Sequence, residues 1–176
     1  FVDESGGKGQ GHHFVMAGLA STADRWALFS NEWRACLTQG RGIRNFKMRE
    51  AAVCRGEFNG WSERERDVKL CELANIINKY VEFCTLSVID LHAHAKTWAI
   101  SNNKPKNEPY FWPFHNTIMA MCFTLWDIGL RERFEIVFDE QVIFGLRARR
   151  WYPLMRAVCR HREPDAYAIL PVDPIF

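Results

Sequence analysis

The sequence contains no uninterrupted apolar run of membrane-spanning length, and no signal peptide is visible at its start. No C-x-x-C pair occurs among its six cysteines, Cys36, Cys54, Cys71, Cys84, Cys122 and Cys159. A zinc site of conventional spacing is therefore missing, and a disulfide framework is not expected. Several of these cysteines sit at apolar positions of predicted helices or strands, where they read as buried, reduced thiols. The expected setting is the cytoplasm, with no membrane partner. An excess of charge of one sign is also absent: 23 Lys and Arg face 21 Asp and Glu, for a net charge of +2. Overall charge thus neither demands nor excludes nucleic acid, and local patches have to decide. Internal repeats and low-complexity segments are lacking too.

What is present is the composition of a folded domain. The 176 residues are 48% apolar and 25% charged, enough for one domain with a sizeable core. The reading is a single domain over residues 1–176. The chain begins at Phe1, in mid-strand and without methionine, and ends at Ile175-Phe176 in strand-like sequence. Both ends are expected to be trimmed relative to the gene product.

Periodicity gives the order of elements. Phe1-Val2-Asp3-Glu4 and His13–Leu19 read as two strands of a hairpin around the glycine-rich segment 5–11. That segment lacks the lysine spacing of a phosphate-binding loop and reads as a hairpin turn. Ser21 or Thr22 caps a helix running to about Thr38, with Trp26, Phe29, Trp33 and Leu37 on its core face. Ser62 and Glu65 have the spacing of a capping box, opening a helix with Val68, Leu70, Leu73, Ala74 and Ile77 inward. Val81–Leu91 reads as a long strand. Residues 109–131 read as a helix, Phe134–Phe138 as a strand, Gly145–His161 as a helix with Trp151, Leu154, Met155 and Val158 inward, and Ala166–Val172 as a last strand. The fold class is α/β: a five-stranded mixed sheet flanked by helices, with a helical insertion between the second and third strands.

Chemistry gathers where two apolar segments end in acids, at Asp3-Glu4 and Asp139-Glu140. Crossover rules permit the first and fourth strands to lie parallel and adjacent, which sets Asp3 beside Asp139. Two carboxylates held close repel unless a cation sits between them, so a divalent-metal site is the first hypothesis. The competing reading is ordinary strand-end acids that favour solubility and turns. Glu4 and Glu140 alternate in direction with the aspartates and rank below them.

Other groups are weaker. His92 and His94 flank Ala93 and could face one way on a strand end, yet no third zinc ligand is apparent. His12 and His13 read as hairpin decoration, His115 and His161 as ordinary helix residues, and Ser5 lacks the context of a hydrolase nucleophile. Arg149, Arg156 and Arg160 fall on one face of the late helix, away from Trp151, Leu154 and Val158. Such a face either tracks a phosphate backbone or is a solvated surface. Lys47 could extend the patch.

Together, Phe1-Val2-Asp3-Glu4-Ser5-Gly6, Phe46-Lys47-Met48-Arg49-Glu50 ahead of Gly60-Trp61-Ser62-x-x-Glu65, and Val137-Phe138-Asp139-Glu140 are similar to the bacterial and phage family called domain of unknown function 3800. The resemblance covers nearly the whole chain. It implies a ribonuclease H-like fold and a metal-dependent nuclease, or a descendant of one. Carried over, Asp3 and Asp139 match the acids of the first and fourth strands, and Glu50 falls near a further family acid. That acid usually follows a His-Met pair, and here Lys47 replaces the histidine. Many members also carry a last acid in a C-terminal Gln-x-Ala-Asp motif, which this sequence does not contain.

The expected activity is phosphodiester hydrolysis of DNA or RNA with Mg²⁺ or Mn²⁺. Two such ions about 3.5–4 Å apart stabilise the attacking and leaving oxygens. Asp3, Asp139 and Glu50 would serve catalysis, Asp3, Asp139, Glu4 and Glu140 the metal, and Lys47, Arg149, Arg156 and Arg160 the nucleic acid. The alternative is a non-catalytic nucleic-acid- or protein-binding module of the same fold, in phage defence or mobile elements.

Overall fold

A computed structural model describes residues 1–6, 11–98, 108–138 and 142–175. Its chain divides into two compact units, Phe1–Ala20 with Cys84–Phe176, and Ser21–Phe83. Each is described by itself.

The first unit is built on a sheet of three strands in the order β1 (Val2–Ser5), β2 (His13–Ala20) and β3 (Phe83–Asp90). The register of β1 and β2 is antiparallel, with Val2 opposite Gly18 and Ser5 opposite Val15. Alternation then sorts the side chains: Phe14, Met16 and Gly18 of β2 are buried, whereas His13 and Ala17 are exposed. Against the buried side packs α5 (Phe111–Asp127), whose Phe114, Ile118, Met121 and Cys122 are buried. Gly18 lets these layers approach closely: a Cβ at that position would lie 2.1 Å from Met121 Cε and 2.9 Å from Thr85 Oγ1. Burial pushes the Cys122 thiol up to about 12. All six cysteines are free thiols, as the sequence implied; Cys36, Cys122 and Cys159 are buried, and Cys71 and Cys84 are exposed.

The rest of this unit comprises α4 (Leu91–Trp98), α6 (Val142–Arg162) and α7 (Pro164–Ile169). Helix α6 buries Ala148, Trp151, Tyr152, Met155 and Cys159. Leu154 and Val158, expected inward, are instead 60% and 54% exposed. The inward stripe follows Ala148, Tyr152, Met155 and Cys159 at helical spacing, which turns Leu154 and Val158 to the other side.

The expected five-stranded mixed sheet is not what forms: the described residues build one three-stranded antiparallel sheet, with seven helices along the chain. Ala166–Val172, read as the last strand, is mostly α7. Pro164 occupies the first helical turn and Asp165 joins it there, both helix-starting features. Ala166, Ile169 and Leu170 are buried at helical rather than alternating spacing. The expected fourth strand is reduced to isolated parallel bridges, Val2 with Phe138 and Val137 with Ile175. Ile136 and Phe138 are nonetheless core residues, and Phe138 meets Phe114 with ring centroids 5.4 Å apart.

The Ser21–Phe83 unit holds α1 (Ala23–Thr38), α2 (Met48–Ala51), a 3-10 turn (Gly56–Phe58) and α3 (Glu63–Tyr80). Thr22 caps α1, its side chain accepting from the Arg25 N–H. The capping box of α3 is present, Ser62 accepting from the Glu65 N–H while the Glu65 carboxylate accepts from Ser62. The inward face of α3 is Lys69, Leu73 and Ile76, so the expected Val68 is exposed and Ala74 also points out. Phe29, Trp33 and Leu37 of α1 pack on the Cys36, Leu73 and Ile76 cluster.

Candidate functional site

The start of β1 is fixed by Val2, and the strand runs on through Asp3 and Glu4 to Ser5 rather than breaking off at the acids. The side chain of Val2 is buried, the Val2 N–H donates to the Val137 carbonyl at 2.8 Å, and the residue bridges Phe138 in parallel. Beyond it, the Phe138 N–H donates to Ile175 O and the Ile175 N–H to Ile136 O, each at 2.8 Å. Two apolar segments are thus held side by side at Val2 and Phe138. The next residue in sequence after each is an aspartate, Asp3 and Asp139. Asp3 is exposed and stands opposite Ala17 of β2. Asp139, Glu140 and the side chain of Glu4 lie outside the described residues.

Glu50 belongs to the other unit, on α2. Its Oε2 accepts from the Glu57 N–H at 3.0 Å, which ties α2 to the 3-10 turn. Lys47 Nζ stands 3.9 Å from Glu50 Oε1, so the lysine in the expected histidine position is an ion-pair partner of that acid. Glu50 therefore has a structural task within its own unit. Among the described residues, no group of three or more His, Cys, Asp or Glu side chains could hold a metal ion. Those residues alone do not make a site for Mg²⁺ or Mn²⁺; the first unit's described share, within β1, is Asp3.

The histidine pair is corrected by secondary structure. His92 and His94 stand on α4, not on a strand end. Positions two apart point to different sides of a helix, and accordingly His92 is exposed while His94 is buried. The strand stops early because Asp90 Oδ1 accepts from the N–H groups of His92 at 2.7 Å and Ala93 at 3.0 Å. Those bonds, from Ala93 and then His92, hold the Asp90 carboxyl below its ordinary range. Asp90, His94, Trp98, Trp112 and Asn116 line a cavity of about 300 Å³, and the two indoles lie with centroids 5.1 Å apart.

The arginines of α6 do not form one uniform solvated row. Arg149 and Arg160 are exposed, but Arg156 is half-buried and tethered. Its Nη1 donates to the Val172 carbonyl at 2.8 Å and its guanidinium lies over the Tyr167 ring, 5.3 Å from the centroid. Arg156, Arg160, His161, Tyr167 and Asp173 line a second cavity, of about 410 Å³. Tyr167 and Asp173 were not singled out by sequence, because the cavity exists only once residues 164–169 coil into α7. His161, read as an ordinary helix residue, stands at its edge.

No helix among the described residues is long and apolar enough to cross a membrane. Comparison of the chain with protein-family models, curated proteins and solved structures gives no match.

Proposed function

We propose that the chain is a divalent-metal-dependent nuclease, hydrolysing phosphodiester bonds of DNA or RNA. The observation that carries the reading is the parallel bridge between Val2 and Phe138, placed one residue before Asp3 and Asp139. Acidic groups on adjacent segments suit Mg²⁺ or Mn²⁺, which bind through oxygen. Asp3 and Asp139 would hold the ion, and the ion would polarise the phosphodiester and lower the pKa of a bound water. Glu4 and Glu140 would be available for the outer contacts. The similarity of the acid-tipped segments to the domain of unknown function 3800 family supports the same reading. Arg149, Arg156 and Arg160 would meet the nucleic-acid backbone.

A second reading, a nucleic-acid-binding module without catalysis, is favoured by one observation: the Glu50 carboxylate is already engaged by the Glu57 N–H and Lys47. A third acid for the metal would then be missing from that quarter. The two readings separate in one experiment. The protein is incubated with Mn²⁺ or Mg²⁺ and labelled single-stranded, duplex and hybrid DNA and RNA, with Asp139→Asn alongside as the control for contaminating nuclease. Cleavage by the wild type alone is the expected result. Binding that persists in chelator, with no cleavage of any substrate, would establish the binding module instead.

A further inference from the structure

The cavity between the C-terminal half of α6, α7 and residues 171–173 contains a feature that the strand-end acids do not explain. Arg156 Nε is buried and has no hydrogen-bond partner among the described residues. An atom with no accessible surface is closed to a ligand as well as to water, so the cavity meets this arginine through the rest of its side chain. The guanidinium is also held in place before any ligand arrives, by Val172 O at one end and the Tyr167 ring beneath it. Arg160, one turn further along α6, and His161 line the same cavity. Neither makes an ion pair or side-chain hydrogen bond among the described residues. One acid, Asp173, stands on the wall and forms no salt bridge with either arginine among the described residues.

We propose that this cavity is a binding site for a phosphate-sized oxyanion, held by the guanidinium groups of Arg156 and Arg160 and by the His161 ring. Its volume of about 410 Å³ leaves room for a phosphate together with an attached sugar. Arginine suits this task because its planar fork of donors matches phosphate oxygens in pairs. The bland account of the three basic residues of the last turn, Arg160, His161 and Arg162, is that they complement the negative end of the helix dipole. That account does not cover Arg156, which lies before the last turn and is held toward the cavity by Val172 and Tyr167. Asp173 gives the site a distinctive signature: its charge opposes an anion, so removing it strengthens binding. The site shares Arg156 and Arg160 with the proposed nucleic-acid contact but uses neither Asp3 nor Asp139, so binding in chelator can succeed or fail apart from cleavage.

The test is a calorimetric titration of the whole chain in chelator, so that neither metal nor cleavage contributes. The probes are inorganic phosphate, adenosine 5′-monophosphate and a single-stranded oligonucleotide, against wild type, Arg160→Gln/His161→Gln and Asp173→Asn. Arg156 is left in place because its contacts with Val172 and Tyr167 hold the fold. Expected are phosphate and nucleotide binding that weakens about tenfold or more in Arg160→Gln/His161→Gln and tightens in Asp173→Asn, with thermal melting unchanged. If the oligonucleotide follows the same pattern, the phosphate comes from a nucleic-acid backbone; if only the small probes do, it comes from a free nucleotide. Undetectable binding of all three probes, or affinities within about twofold across the folded variants, would overturn the site.

Discussion

The ammonium of Lys69 is buried beneath the C-terminus of the neighbouring helix, 2.7 Å from the carbonyl oxygen of Cys36 and 3.0 Å from that of Gln39. Cys36 lies in the last turn of α1 and Gln39 is its C-cap, where intrahelical donors run out. A lysine of α3 supplies them, and Glu72 balances its charge at 3.4 Å. Lys69→Met keeps the stem and removes the donor, leaving both carbonyls short of a partner. We expect a loss of about 2–3 kcal/mol in urea denaturation. Lys79→Met, which removes an exposed pair with Glu32, is expected to lose clearly less than Lys69→Met. Equal losses would contradict the capping role.

Glu50 and Gly56 form a second joint. Gly56 has φ +58°, and a Cβ there would lie 2.0 Å from Glu50 Oε2. Gly56→Ala is therefore strained in its backbone and also collides with the carboxylate that holds the turn. Its expected cost is about 1 kcal/mol or more. Glu50→Gln retains an acceptor for the Glu57 N–H and is expected to melt near the wild type, whereas Glu50→Ala melts lower. Equal melting of Glu50→Gln and Glu50→Ala would contradict the structural role, and loss of cleavage in a stable Glu50→Gln would show a chemical role beside it.

Acid should weaken the Ser21–Phe83 unit in a way that can be traced to Glu32. Hydrogen bonds from Lys79 and from the Tyr80 hydroxyl hold its carboxyl below the ordinary value of 4.5. A carboxyl whose folded pKa is depressed contributes stability above its unfolded pKa, and that contribution disappears as pH falls through the folded value. Glu57 and Glu65, lowered chiefly by the N–H groups of Arg44 and Ser62, act in the same direction. Thermal melting followed between about pH 6 and about pH 3 should show a smaller decline in Glu32→Gln than in the wild type. An identical decline would show that the pair with Lys79 and Tyr80 is not formed in solution.

Local signals in the sequence carried furthest where one side chain sets one backbone event. The capping box at Ser62 and Glu65 and the cap of α1, expected at Ser21 or Thr22 and made by Thr22, depend on contacts three residues apart and are present, and the first two strands pair as a hairpin. Choices that depend on tertiary partners were less visible. Leu154 and Val158 are as apolar as Trp151 and Met155, and only the packing of α6 decides which pair is covered. Asp90 ends β3 by capping α4, and this single carboxylate separates His92 from His94. The segment 166–172 alternates enough to pass for a strand, but Pro164 and Asp165 start a helix. For the acid-tipped segments, the sequence allowed the first and fourth strands to lie side by side; a parallel bridge joins Val2 and Phe138, but the extended mixed sheet expected around them is not formed.

The central claim is that Asp3 and Asp139 hold a divalent ion together. Its most direct test is a Mn²⁺ titration of the wild type, Asp3→Asn and Asp139→Asn, followed by the paramagnetic resonance signal of the free ion. The account predicts saturable Mn²⁺ binding by the wild type that falls at least tenfold in each variant, with melting temperatures preserved. Binding of equal strength in all three proteins, or none in the wild type, would contradict it.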